Sequence, residues 1–377
     1  MIRKVCYITG TRADFGLMTP VLRAIEAAPD LALSVVATGM HLSERYGLTV
    51  RDIEKEGFPI AARIPVELGK ADGAAMARNI GAMLTGFVDH LAQAKPDVVL
   101  LLGDRGEMLA GALAAIHLNI VAAHVHGGER SGTVDELVRH AISKLSHYHF
   151  VATESARERL IRMGERPDRV HVTGAPGLDG LDTLAATPRA ELAREAGLDP
   201  AKPIALLVFH PVLQDAEHAG DEAALILDAL TARGIQTVAL LPNSDAGSDR
   251  IRAVLEQRAG RAGVHVVTHL ARDRFVSWMA QADFMIGNSS AGIIEAATFG
   301  TPVVNVGGRQ NLRERNRNVA DVEIAAEALG AAIDRARAQG RHARENIYGD
   351  GHAAERIVTL LRGVPLDRSV LAKINDY

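Results

Sequence analysis

This chain of 377 residues lacks several things, and each absence narrows its chemistry. It has one cysteine, Cys6, set in a predicted buried strand, so no internal disulfide can form and a reducing compartment is compatible. Aromatic residues make up only 4%, which leaves the core to Ala, Leu, Val and Ile. No window reaches the roughly 18 apolar residues that span a bilayer, and the first apolar run ends at Ile8, too early for the apolar region of a signal peptide. A cytoplasmic location without a membrane partner is therefore expected. The net charge of -4 provides no broad basic field, which argues against nucleic acid as a partner. Neither G-x-x-x-x-G-K-[ST] nor G-x-G-x-x-G occurs, so nothing asks for ATP or NAD, and no cofactor is expected.

What is present is a long, well-mixed globular sequence, 47% hydrophobic and 23% charged, with a length that favours two domains. Short apolar, β-branched runs alternate with helical patterns. One series of candidate strands comprises Val5–Ile8, Leu33–Ala37, Val98–Leu102, Val121–Val125, His149–Ala152 and Val170–Thr173. A second comprises Ile204–Phe209, Thr237–Leu241, Val264–Val267, Phe284–Ile286 and Val303–Val306. Continuous rather than alternating apolarity marks strands covered on both faces, hence parallel sheets between helices. The stretch from Pro176 to Pro203 carries no strand pattern and reads as the linker. The expected fold is α/β: two Rossmann-like, doubly wound domains, residues 1–176 and 177–355, facing each other across a cleft.

Two turns suit an anionic ligand. In Ile286-Gly287-Asn288-Ser289-Ser290-Ala291-Gly292 a strand passes through small residues into a helix-forming segment, so the main chain can approach a ligand with free N–H groups. Glu295, one turn in, can accept hydrogen bonds from sugar hydroxyls. An ordinary serine-capped turn is the plainer reading of the same residues. Tyr7 to Gly16 forms a second such turn with Arg12 at its mouth, a fixed fork of donors suited to a diphosphate. The arginine run from Arg309 through Arg313 to Arg317 can hold a small anion or can be a solvated face.

Ligands of open parallel sheets bind beyond the carboxyl ends of the strands. The residues standing there are Arg12, His41, Asp104, Arg105, His126, Glu129, His210, Asn243, His269 and the Asn288 turn. Asp104 leaves a buried strand, where desolvation can raise its pKa for acid–base work, although it can also cap the helix that follows. His124 and His126, two apart in a strand, share a side. With Glu129 nearby they raise the question of a metal, but no further ligand cluster follows at a customary spacing, and none is expected. His124 reads better as a satisfied core histidine. Asp135 opens an amphipathic helix, either as a partner of its dipole or as a member of the same site. His210 faces the cleft from the second domain.

With these residues in place, the chain resembles the hydrolysing nucleotide-sugar 2-epimerases, the UDP-N-acetylglucosamine 2-epimerase family of sialic acid and related nonulosonate pathways. The resemblance runs nearly end to end. It rests on Gly10-Thr11-Arg12-Ala13-Asp14-Phe15-Gly16, Thr38-Gly39-Met40-His41, Gly103-Asp104-Arg105, His126-Gly127-Gly128-Glu129, Ile142-Ser143-Lys144-Leu145-Ser146-His147, His210-Pro211, Pro242-Asn243, Gly287-Asn288-Ser289-Ser290-Ala291-Gly292 and Arg309-Gln310. It implies a GT-B fold whose last segment, residues 356–377, crosses back to the first domain. It also implies elimination of the nucleotide from a UDP- or GDP-linked sugar to a 2-acetamidoglucal, then hydration with inversion at C2. The implied catalytic set is Asp104, His126, Glu129, Asp135 and His210. The implied nucleotide contacts are Arg12, Asn243, Ser289, Ser290, Gly292, Glu295, Arg309 and Arg313, with His210 also matching a diphosphate contact. Some members carry a glutamate where this chain has His126, so the assignment of steps does not transfer directly. The family suggests a homodimer or homotetramer. A non-hydrolysing epimerase, a GT-B glycosyltransferase and a silent nucleotide-sugar sensor are the alternatives. Release of free sugar, a need for an acceptor, and binding without turnover respectively separate them.

Overall fold

The computed structural model describes residues 2–69, 71–261 and 263–376. The first sheet contains β1 (Arg3–Thr9), β2 (Leu31–Thr38), β3 (Ile60–Ile64), β4 (Val98–Leu102), β5 (Val121–Val125), β6 (Tyr148–Val151) and β7 (Val170–Val172). The second contains β8 (Ile204–Val208), β9 (Gln236–Leu240), β10 (Val264–Val267), β11 (Phe284–Gly287), β12 (Val303–Val306) and β13 (Val319–Val322). The orders are β3-β2-β1-β4-β5-β6-β7 and β10-β9-β8-β11-β12-β13, with parallel pairing throughout. These are the two Rossmann-like sheets expected.

The central strands are apolar on both faces because helices cover both. β4, β5 and β8 are buried at every position. Two strands were not anticipated, β3 and β13, and both lie at a sheet edge. Their sequences, IAARI and VADV, each carry a charged residue and alternate or mix half-buried and exposed positions, so a search for continuous apolar runs passes over them.

Each sheet reverses its order once, between β1 and β4 and between β8 and β11. At such a switch point the loops beyond the carboxyl ends part and leave a crevice. The loops there are Gly10–Thr11, Gly103–Arg105, His210–Pro211 and Asn288–Ser289. The stretch read as a linker is not loose. Leu181, Leu192, Ala193 and Leu198 are buried in one cluster with Leu206, Trp278 and Phe299 of the second sheet's layer. Near the other end of the chain, the helix Ala353–Gly363 buries Ile357 and Leu361 against Val21, Leu22 and Ile25 of the helix Arg12–Ala27. The chain therefore returns to the first sheet. Among the described residues no helix is long and apolar enough to cross a membrane.

Candidate active site

Asp104 stands just past β4, one residue beyond Gly103. The helix after it, Gly106–His117, has Arg105 at its N-cap and no side-chain cap, so capping is not what holds the Asp104 carboxylate. Instead, Arg139 donates to its Oδ2, and a guanidinium nitrogen of Arg313 lies 3.6 Å from the same oxygen. Burial alone would raise this carboxyl. The two arginines outweigh it and hold the group well below the ordinary carboxylate range. The expectation of a raised pKa at Asp104 is thus corrected, because its partners are cations that no local sequence pattern pairs with it.

Asp135 behaves in the opposite way. It lies in the first turn of the helix Val134–Leu145, and burial together with the Asp104 charge raises its pKa against the pull of Arg309, whose Nη2 is 3.4 Å away. Two neighbouring carboxyls are pushed apart, one toward the ionised and one toward the neutral form. This is the usual signature of divided acid and base roles. Both line a cavity of about 270 Å³ that also includes Arg105 and Arg309.

His124 and His126 part company where β5 ends. His124, fully buried, bonds Ser143 Oγ at 3.0 Å and the Gly103 carbonyl at 2.7 Å, and burial lowers its pKa to about 3. It is a neutral prop beneath the Asp104 loop. His126 adopts φ +62, uncommon for a residue with a side chain, and turns its Nδ1 to Glu129 Oε1 at 2.5 Å. Glu129 also receives Arg313, and despite a burial that would raise it, Arg313 and His126 bring its pKa down to about 2. Among the described residues no group of three or more histidine, cysteine or acidic side chains is arranged to hold a metal.

The second sheet contributes the other side. Asn288 locks the ends of β8 and β11 together: its Oδ1 accepts from the His210 N–H and its Nδ2 donates to the His210 carbonyl, both at 2.8 Å. Arg309 and Gln310 donate to the Asn288 carbonyl at 3.2 and 3.0 Å. Gly287 has φ +129, and a Cβ there would collide with the Val208 carbonyl oxygen, so only glycine lets the turn pass this close to β8. Ser289 caps the short helix Ser290–Ile294, accepting from the Ala291 N–H, and Gly292 leaves room for Val303. Burial, with Arg309 and Arg105 nearby, lowers the pKa of His210 to about 3. Its Nδ1 is buried without a protein partner, as are Nη1 of Arg12 and Nε of Arg313.

Not every expected residue stands at this centre. Arg12 pairs with Asp52 at 2.9 Å. Glu295 receives Arg272, which also donates to the Gly177 carbonyl at 3.0 Å. Asn243 closes a local turn with Asp245, whose carboxylate is 3.6 Å from Arg105. His41 is fully buried between Thr9 and Thr49, each at 2.9 Å, a structural role. The residue that sequence reasoning missed is Arg139, 1% exposed, which binds Asp104, the Glu129 carbonyl and Ser131 Oγ. The available signal was an arginine one helical turn after Asp135, hence on the same face.

The family model described as UDP-N-acetylglucosamine 2-epimerase matches residues 23–362. The chain belongs to this family. It is 49% identical over 377 residues, the whole of both chains, to the UDP-N,N'-diacetylbacillosamine 2-epimerase (hydrolyzing) of Legionella pneumophila. It is 33% identical over 326 residues, 85% of each, to the GDP/UDP-N,N'-diacetylbacillosamine 2-epimerase (hydrolyzing) of Campylobacter jejuni. Among solved structures, the UDP-GlcNAc 2-epimerase of Neisseria meningitidis bound to UDP-GlcNAc superposes with a TM-score of 0.80 at 21% identity, covering 96% of this chain and all of that one. That likeness bears on the fold. In this 2-epimerase family member, Arg309 and Arg313 reach from the second sheet's layer to carboxylates of the first, so one connection, residues 307–318, brings both halves of the site together.

Proposed function

We propose that this chain is a hydrolysing nucleotide-sugar 2-epimerase whose substrate is a UDP-linked 2,4-diacetamido-6-deoxy sugar, the class named for its Legionella relative. The observation that carries the reading is the split pair Asp104 and Asp135 in one cavity with Arg309, which ties the pair to the Asn288 turn.

The chemistry follows from those states. The substrate diphosphate lies against the Ser289-Ser290 turn, Arg309, Arg12 and the His210 imidazole, with Arg313 and Asn243 at its margin and Glu295 toward the ribose. The arginines stabilise it by charge as it leaves C1, and the neutral His210 and the turn by hydrogen bonds. Asp104, ionised, takes the C2 proton, and the C–H electrons form the C1–C2 double bond of a 2-acetamidoglucal. Asp135, whose pKa is raised by burial and the Asp104 charge, gives a proton to C2 from the other face, while the hydroxyl of a water adds to C1. The remaining proton of that water returns to Asp135, and Asp104 releases its own to solvent. The balance is nucleotide sugar plus water to free manno-configured sugar plus UDP and a proton. His126 and Glu129 position Arg313. Residues of both sheets and no redox cofactor carry these steps. The product is a free 2-acetamido sugar of the kind a nonulosonate pathway consumes, and a homo-oligomer in the cytoplasm belongs to the same proposal.

The test is product analysis with UDP-linked N,N'-diacetylbacillosamine. Equal release of free UDP and free manno-configured sugar is expected. An epimerised sugar still bearing UDP would make the enzyme non-hydrolysing and overturn the proposal.

A further inference from the structure

The cavity holding Asp104 and Asp135 has walls of unlike character. The carboxylates and Arg309 form one. The helix Gly73–Ala94 forms another, presenting Met76, Ile80 and Met83 at i, i+4 and i+7, and so along one face, with Val138 beside them. Met83 is 5% exposed, and Ile80 and Val138 pack on the same apolar cluster. The wall sits close to the chemistry: a Cβ on Gly106, two residues from Asp104, would come within 2.7 Å of Ile80 Cγ1. Asn79 of the same helix also lines the cavity, with its Nδ2 donating to the Glu67 carbonyl at 2.8 Å.

A pyranose whose C1–C2 edge meets Arg309 and the two carboxylates presents its C4–C6 edge to the rest of the cavity, of which that helix is an apolar part. N-acetylglucosamine carries a hydroxyl at C6, which loses water against the side chains of Met76, Ile80 and Met83. A 2,4-diacetamido-6-deoxy sugar carries a methyl at C6 and an acetyl methyl at C4, which suit an apolar wall, while the N–H and C=O of its C4 amide need polar partners, of which Asn79 lines the same cavity. We infer that Met76, Ile80 and Met83 are the specificity-determining residues of this enzyme, selecting a sugar with a methyl-bearing C4–C6 edge. This rests on the epimerase reading above and extends it to the residues that choose the substrate. Apolar pockets of this kind discriminate by about 10- to 200-fold per missing contact.

The test compares kcat/KM for UDP-N,N'-diacetylbacillosamine and UDP-N-acetylglucosamine in the wild type, Ile80→Asn and Met76→Gln. Met76 is half-buried, so that variant carries the test if Ile80→Asn does not fold. The wild type is expected to prefer the diacetamido sugar, and each variant to lower that preference by about tenfold or more while Met76→Leu keeps it. Parallel losses for both sugars, with the ratio unchanged, would overturn the wall as a selector and leave the epimerase reading standing; a wild-type preference for UDP-N-acetylglucosamine would overturn the wall and the proposed substrate together, leaving only the 2-epimerase activity. Turnover of neither sugar by the wild type would overturn both.

Discussion

At the scale of residues, the account turns on how unequal partners divide two similar carboxyls. Asp104 faces Arg139 and Arg313; Asp135 faces Asp104 itself and Arg309 at 3.4 Å. Asp104→Asn is expected to lower turnover about a hundredfold or more, the range for loss of a general base, while nucleotide affinity measured by calorimetry changes little. Unchanged turnover would remove Asp104 from the mechanism. Its state is tested through Arg139, which helps keep the Asp104 pKa low. Removing the charge in Arg139→Met raises that pKa. A base is active above its pKa, so the acid limb of the kcat/KM profile should move to higher pH, and Arg139→Lys should hold it nearer the wild type. Movement of the basic limb instead would mean that Asp104 works as an acid. That Asp104, His126 and Glu129 stand beyond strand ends, and that Asp135 opens a helix, was legible in the sequence. The low pKa of Asp104 and Glu129 was not, since Arg313 lies more than a hundred residues along the chain from either and meets them only through the fold.

At the scale of elements, the strand ends place the chemistry and glycines permit the close turns. Gly287 is the clearest case, with β8 directly beneath it. Gly287→Ala is expected to destabilise the protein by more than about 1 kcal/mol, since a side chain must adopt a positive φ and also displace backbone. Thermal denaturation measures this directly, and a melting temperature equal to the wild type's would show that the turn has slack. Eleven strands were readable in advance: the nine interior ones and the edge strands β7 and β10, whose short runs are rich in valine. β3 and β13 were not, because IAARI and VADV break the apolar run with Arg63 and Asp321. Strand spacing puts His126 on one side with His124, while the adjoining Gly127-Gly128 turn sets it apart toward the cleft. The structure ends β5 at Val125, and the left-handed turn at His126 sends the two rings to different partners. Period-two reasoning holds only while the strand lasts.

At the scale of the whole molecule, the two sheets are joined by more than the chain that links them. Arg309 and Arg313 tie the second sheet's layer to Asp135, Asp104 and Glu129, and Thr153 donates to Glu314 at 2.5 Å beside them. A cleft built in this way brings diphosphate donors and acid–base carboxyls together across its two walls, the arrangement that an elimination with a charged leaving group requires. The two-sheet architecture could be read from the order of strands and helices. The ion pairs across the cleft could not, because they depend on how the halves close. The central claim is that C2 loses its proton to one carboxyl and regains one from the other. The most direct measurement is proton NMR of the reaction in deuterated water with UDP-N,N'-diacetylbacillosamine. Free manno-configured sugar with complete deuteration at C2 is the expected result. Product that keeps protium at C2 would contradict proton exchange at that carbon, and the account built on Asp104 and Asp135 with it.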